Sequence, residues 1–219
     1  STSWSSQTMI QGAAACMLTA AAQTSGDTAF LFTSDEEAGQ STCVREFCKS
    51  PRHFEAVIVA EPTQARAVFE HRGILTARAD FEGVSGHASS GRADLDSALH
   101  HAVDWSHAVL VETRAAKELR YKNLHGLRFN LGRMEGGVKP NMVAASAFLN
   151  FGFRPLPGMD APAFLKKLGE LEPCPQRLER GFYGPPLPAP GFQPAQDLAS
   201  RCGLPMGEPV DFWTEASLF

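Results

Sequence analysis

The central third of the chain constrains the fold most, because strict alternation there gives way to a long helical repeat. Ile74, Thr76, Arg78 and Asp80 interleave with Leu75, Ala77, Ala79 and Phe81. A period of two with one apolar set predicts a strand buried on a single face, as in an open sheet. From about Ala93 to about Glu118, Leu95, Ala98, Leu99, Ala102, Trp105 and Val109 recur three or four residues apart, which predicts one amphipathic helix. Strand candidates Leu127 to Met134 and Val143 to Phe153 flank Gly136-Gly137, a pair suited to a turn. Pro162 sits near the start of a short helix through Leu171, where a missing N–H costs least, and a last strand is expected from Gln176 to Tyr183. Strand, helix, strand, strand, helix, strand is the order of a split βαβ, ferredoxin-like unit.

The flanks have another texture. Gly12 to Ala22 is rich in alanine and predicts a helix. The run Thr28 to Thr33, with Phe30-Leu31-Phe32, and the run Ala56 to Ala60, ending at Glu61, read as short strands buried on both faces, with a helix from Ser41 to Lys49 between them. After the proline-rich link Gly184 to Pro190, Gln193 to Cys202 reads as helical and Asp211 to Phe219 resumes the apolar texture. The expected fold class is therefore α/β: a discontinuous domain, residues 1–73 and 184–219, interrupted by an inserted ferredoxin-like α+β domain at 74–183.

Composition excludes several classes. A net charge of −4 argues against a nucleic-acid binder, whose affinity rests on clustered Lys and Arg. The longest apolar run, Gly12 to Ala22, is too short to span a bilayer. Five scattered cysteines, Cys16, Cys43, Cys48, Cys174 and Cys202, form no CxxC pair and read as reduced thiols. A cytoplasmic protein is expected, with no nucleic-acid and no membrane partner. The chain opens on Ser1 and stops at Phe219 inside an apolar segment, which reads as a fragment.

Chemistry concentrates in Asp35-Glu36-Glu37. Three adjacent acids repel one another unless a cation lies near them. They follow one expected buried strand, as Glu61 ends the other, and ligands of α/β sheets collect beyond the carboxyl ends of strands. A solvated acidic loop is the plainer reading of such a triplet taken alone.

The ordered set Phe32-Thr33-Ser34-Asp35-Glu36-Glu37-Ala38-Gly39, Val59-Ala60-Glu61-Pro62-Thr63, His71-Arg72-Gly73, Gly86-His87-Ala88-Ser89, Gly136-Gly137-Val138-Lys139-Pro140-Asn141 and Phe153-Arg154-Pro155 resembles the two-zinc aminoacylase and carboxypeptidase family that contains acetylornithine deacetylase and succinyl-diaminopimelate desuccinylase. Within it, the runs Gly152 to Pro157 and Asp211 to Ser217 are most similar to the acetylornithine and acetylcitrulline deacetylases of arginine biosynthesis, leaving the choice of substrate open. The resemblance implies hydrolysis of an N-acyl amino acid by two zinc ions, or cobalt in their place, roughly 3.5–4 Å apart. It makes Glu36 the general base, and Glu37 and Glu61 ligands of different zinc ions. It makes His87 a donor to the oxyanion across a homodimer interface, a contribution of about 3 kcal/mol in such sites. Asn141 and Arg154 would face the substrate carboxylate or acyl group, with Arg72 and Lys139 as weaker candidates.

Departures from the pattern matter too. The family's His-x-Asp motif and late histidine are absent, and Met9 stands where a bridging aspartate is expected. A thioether is a soft neutral donor and does not bridge two zinc ions. Zinc is expected to bind poorly to this chain. The alternative reading is an inactive homologue that keeps the inserted domain for dimerisation.

Overall fold

The computed structural model describes residues 6–35, 40–189 and 191–219, with residues 6–12 described by backbone alone. In chain order the principal elements are α1 (Ser6–Gln23), α2 (Thr42–Cys48), β1 (Ile74–Glu82), α3 (Ala93–Asp96), α4 (Ala98–Ala115), β2 (Arg128–Gly136), β3 (Ser146–Arg154), α5 (Ala161–Gly169), β4 (Arg177–Gly184) and α6 (Gln196–Arg201). The chain divides into two compact units. One comprises Ser1–Val68, Gln193–Gly207 and Thr214–Phe219, the other Phe69–Phe192 and Glu208–Trp213.

The second unit carries a four-stranded antiparallel sheet in the order β2-β3-β1-β4. With α4 joining β1 to β2 and α5 joining β3 to β4, this is the split βαβ topology. Leu75, Ala77, Ala79 and Phe81 of β1 and Ala147, Leu149, Phe151 and Phe153 of β3 are each at most 5% exposed. Their alternation leaves the opposite face of the sheet open. Against the apolar face lie Ala98, Ala102, Trp105 and Val109 of α4, and Leu165 and Leu168 of α5. Trp105 is completely buried between Phe81 and Phe151, and its indole N–H donates to the Leu168 carbonyl at 3.0 Å. That bond satisfies the one polar atom such a ring brings into a core.

The long helix expected from Ala93 to Glu118 is broken. Ser97 adopts an extended conformation (φ −82°, ψ 116°), and its side chain caps α4 by accepting from the His100 amide at 3.4 Å. Serine at an N-cap satisfies an amide that a continuous helix would have bonded internally. Leu95, expected on the buried stripe, stands 67% exposed on α3.

In the first unit α1, α2 and α6 form as expected, but the two buried strands do not. Residues 28–33 and 56–60 join no ladder, and Phe32, Val57 and Ile58 are 48%, 42% and 68% exposed. A strand buried on both faces exists only between hydrogen-bonded neighbours, and none lies beside either run among the described residues. What does form is a parallel bridge between Ala67 and Met206, and a stack of Phe47 on Phe54 at 5.8 Å. No described helix is long and apolar enough to cross a membrane, and all five cysteines are free and exposed.

Candidate functional site

In the second unit, two loops at one end of the sheet are stitched together by backbone. Gly83 donates to Ala145 O at 2.9 Å, Ala98 to Ala144 O at 2.9 Å, and Val84 to Asp96 O at 2.8 Å. A Cβ at Gly83 would lie 2.3–2.6 Å from Asp96 O, Ala144 O and Ala98 N, so only glycine fits this crossing. The stitching sets up a two-residue ladder in which Gly86 pairs with Val143 and His87 with Met142. Ala88 then donates to Asn141 O at 3.1 Å. Two candidates far apart in sequence, His87 and Asn141, are thereby placed on adjoining backbone, both exposed. Lys139 is exposed in the same loop, where its carbonyl accepts from the Met142 amide at 3.1 Å. His87 Nδ1 lies 2.8 Å from Ser89 Oγ and accepts from the Ser89 amide at 3.3 Å.

Arg72, named above as a candidate substrate contact, lies in the interior of the second unit. Its side chain is wholly buried. Nε donates to Asp211 Oδ1 at 2.6 Å, Nη1 to Gly126 O at 2.7 Å and Arg154 O at 3.5 Å, and Nη2 to His125 O at 3.0 Å. A guanidinium committed in this way ties four segments of the unit together. His71, beside it, donates from Nδ1 to Arg72 O at 2.7 Å, and burial holds its imidazole below the usual histidine range. A Cβ on Gly73 would meet Gly184 O at 2.8 Å. All three residues of the His71-Arg72-Gly73 triplet are buried.

Arg154 ends β3 on the open face of the sheet, directly opposite Arg128 of β2. Both line a concavity of about 600 Å³, with Thr76, Arg78, Asn130 and Asn150 around them. Arg128 also approaches Asp211, Nε to Oδ1, at 3.8 Å. Directly opposed side chains share a face, so the two guanidinium groups lie at the same end of the concavity. Sequence reasoning missed Arg128, since its partner is fixed by strand register and no motif announces it.

Glu36 and Glu37 lie outside the described residues, as does the side chain of Met9. In the first unit Asp35 accepts from the amides of Thr42 at 2.5 Å and Cys43 at 3.1 Å, the first turn of α2. It supplies the cap that Ser41, in a left-handed conformation at φ 46°, does not. Glu61 is half-buried in a turn, its carbonyl accepting from the Thr63 amide at 2.8 Å. Zinc needs three or four side-chain ligands, and among the described residues no three of His, Cys, Asp and Glu gather as a metal site.

Residues 69–171 match the family M20_dimer, the peptidase dimerisation domain. The chain is similar to the N-acetyl-L-citrulline deacetylase of Xanthomonas campestris, 44% identical over 218 residues that take in 96% of this chain and 60% of that protein. Acetylornithine deacetylases of Pectobacterium carotovorum and Klebsiella pneumoniae are 29% and 27% identical, over 85% of this chain and 51% of theirs. The chain thus spans between half and three fifths of these relatives. The crystal structure of aminopeptidase PepT from Bacillus cereus shares the fold, with a TM-score of 0.53 at 18% identity over 85% of this chain and 51% of that one.

Proposed function

We propose that this chain is the part of an N-acyl amino acid deacetylase that holds its general base and its dimerisation unit. The whole protein would hydrolyse the amide of N-acetylcitrulline or N-acetylornithine and release acetate, a step of arginine biosynthesis. The observation that carries this reading is the 44% identity to an acetylcitrulline deacetylase across nearly the whole chain. Residues 1–73 and 184–219 would belong to the α/β catalytic domain and 74–183 to the inserted one.

In this reading Glu36 takes a proton from the attacking water and delivers it to the leaving amine, which needs one group to act first as base and then as acid. His87 donates to the oxyanion of the partner subunit's site. Arg154, with Arg128 opposite, provides the guanidinium chemistry that recognises a carboxylate, and Asn141 and Lys139 flank the substrate. Glu37 and Glu61 are the carboxylates of this chain suited to zinc, and two fall short of a full ligand set. Homodimerisation is supported by the family match at 69–171 and by Val103 and Val111, each 52% exposed on α4.

Met9, in place of an expected aspartate, favours the second reading, an inactive homologue. Both are tested by joining the chain to the segments of the Xanthomonas relative outside the match, with and without Met9→Asp. Acetate release from N-acetylcitrulline or N-acetylornithine in the Met9→Asp chimera supports the deacetylase. A folded chimera that releases acetate from neither supports the inactive homologue.

A further inference from the structure

The turn that carries His87 determines more than the position of the ring. Ser90 donates to His87 O at 2.9 Å, closing residues 87–90 into a turn, while the pairing of His87 with Met142 and the Ala88 bond to Asn141 O hold the other side. Inside this closed frame both polar groups of Ser89 meet the same ring nitrogen. The amide reaches His87 Nδ1 at 3.3 Å and the hydroxyl at 2.8 Å. A backbone N–H has no lone pair and only donates, whereas a hydroxyl donates or accepts. Both contacts are favourable together in one arrangement: Nδ1 bare, the hydroxyl turned to donate, and the ring proton on Nε2.

We infer that Ser89 is a positioning residue that fixes the tautomer of His87, keeping Nε2 as the proton-bearing nitrogen. The inference rests on the proposed role of His87 and gives that role its chemistry. An oxyanion is stabilised by an N–H and repelled by a lone pair, so a ring protonated at Nδ1 would present the wrong atom at Nε2. The motif Gly86-His87-Ala88-Ser89 contains the device in its last residue, two positions beyond the histidine, where the turn folds both Ser89 groups back.

The test is long-range 1H–15N NMR of the 15N-labelled 219-residue chain at mildly alkaline pH, with His87→Gln used to assign the ring among the seven histidines. The expected spectrum shows His87 with bare Nδ1 and protonated Nε2. Ser89→Ala removes the hydroxyl and should lower the ratio of Nε2–H to Nδ1–H forms about fivefold, the worth of one neutral hydrogen bond. Ser89→Thr should restore it. Protonated Nδ1 in the unsubstituted chain overturns the inference without any variant, and so does an unchanged ratio in a Ser89→Ala protein whose amide spectrum is otherwise preserved. The oxyanion role is separable: full turnover by a His87→Ala chimera would remove that role and leave the tautomer result standing.

Discussion

Replacing Arg72 with methionine keeps most of the volume of the stem and deletes the guanidinium. Three close acceptors lose their donor: Asp211 Oδ1 at 2.6 Å, Gly126 O at 2.7 Å and His125 O at 3.0 Å. The Asp211 carboxylate is 62% exposed, so water takes over its solvation and its share is that of a surface pair, about 0–1 kcal/mol. The two carbonyls gain less from water, and a hydrogen bond to a charged group is worth about 1.5–3 kcal/mol each. Removing the guanidinium also removes its own desolvation penalty, which favours the lower end, a net loss of about 3 kcal/mol. For a unit of this size that lowers Tm by about 9 °C. Thermal unfolding of the full chain, followed by tryptophan fluorescence, reports on the unit directly because Trp105 sits in its core. Arg72→Lys should not rescue, since one ammonium on a flexible stem cannot serve acceptors on separate segments. A midpoint within about 2 °C of the unsubstituted chain, or full rescue by lysine, would refute the reasoning.

Two further substitutions probe the frame of the site. Gly83→Ala should cost at least about 2 kcal/mol, because its Cβ meets only backbone atoms, whereas Gly91→Ala, with nothing within 4 Å, should be neutral or mildly stabilising; urea midpoints that do not differ would contradict the crossing described at Gly83. Hydrogen bonding from Cys43, through its side chain and then its amide, and from the Thr42 amide holds Asp35 below the usual carboxylate range. A depressed folded pKa gives stability that is complete above about pH 4, the unfolded value, and is lost as pH falls through the folded one. Asp35→Asn should therefore flatten the acid limb of a plot of Tm against pH, and an unaltered limb would show that the carboxylate does not cap α2.

The second unit was legible because its order follows from local periodicity. Alternation in β1 and the three-four spacing of α4 specify which faces are buried without reference to distant residues. Three features resisted reading for separate physical reasons. The break at Ser97 rests on one side-chain cap inside an otherwise helical pattern. The burial of Arg72 depends on carbonyls more than fifty residues away, which nothing in its local sequence announces. The runs 28–33 and 56–60 have strand composition, but strands are made by neighbours, and the described residues provide none. For the site, motif order placed His87 and Asn141 on one list, and only the ladder between Gly86-His87 and Met142-Val143 shows them as neighbours. Arg128 became visible once the register of β2 against β3 was known.

The central claim is that this chain contributes the general base of an amidohydrolase, and Glu36→Gln in the Met9→Asp chimera tests it most directly, with acetate release and zinc content measured on the same preparation. The expected result is loss of turnover by at least about a hundredfold, with zinc content unchanged. Turnover equal to that of the unsubstituted chimera would contradict the claim.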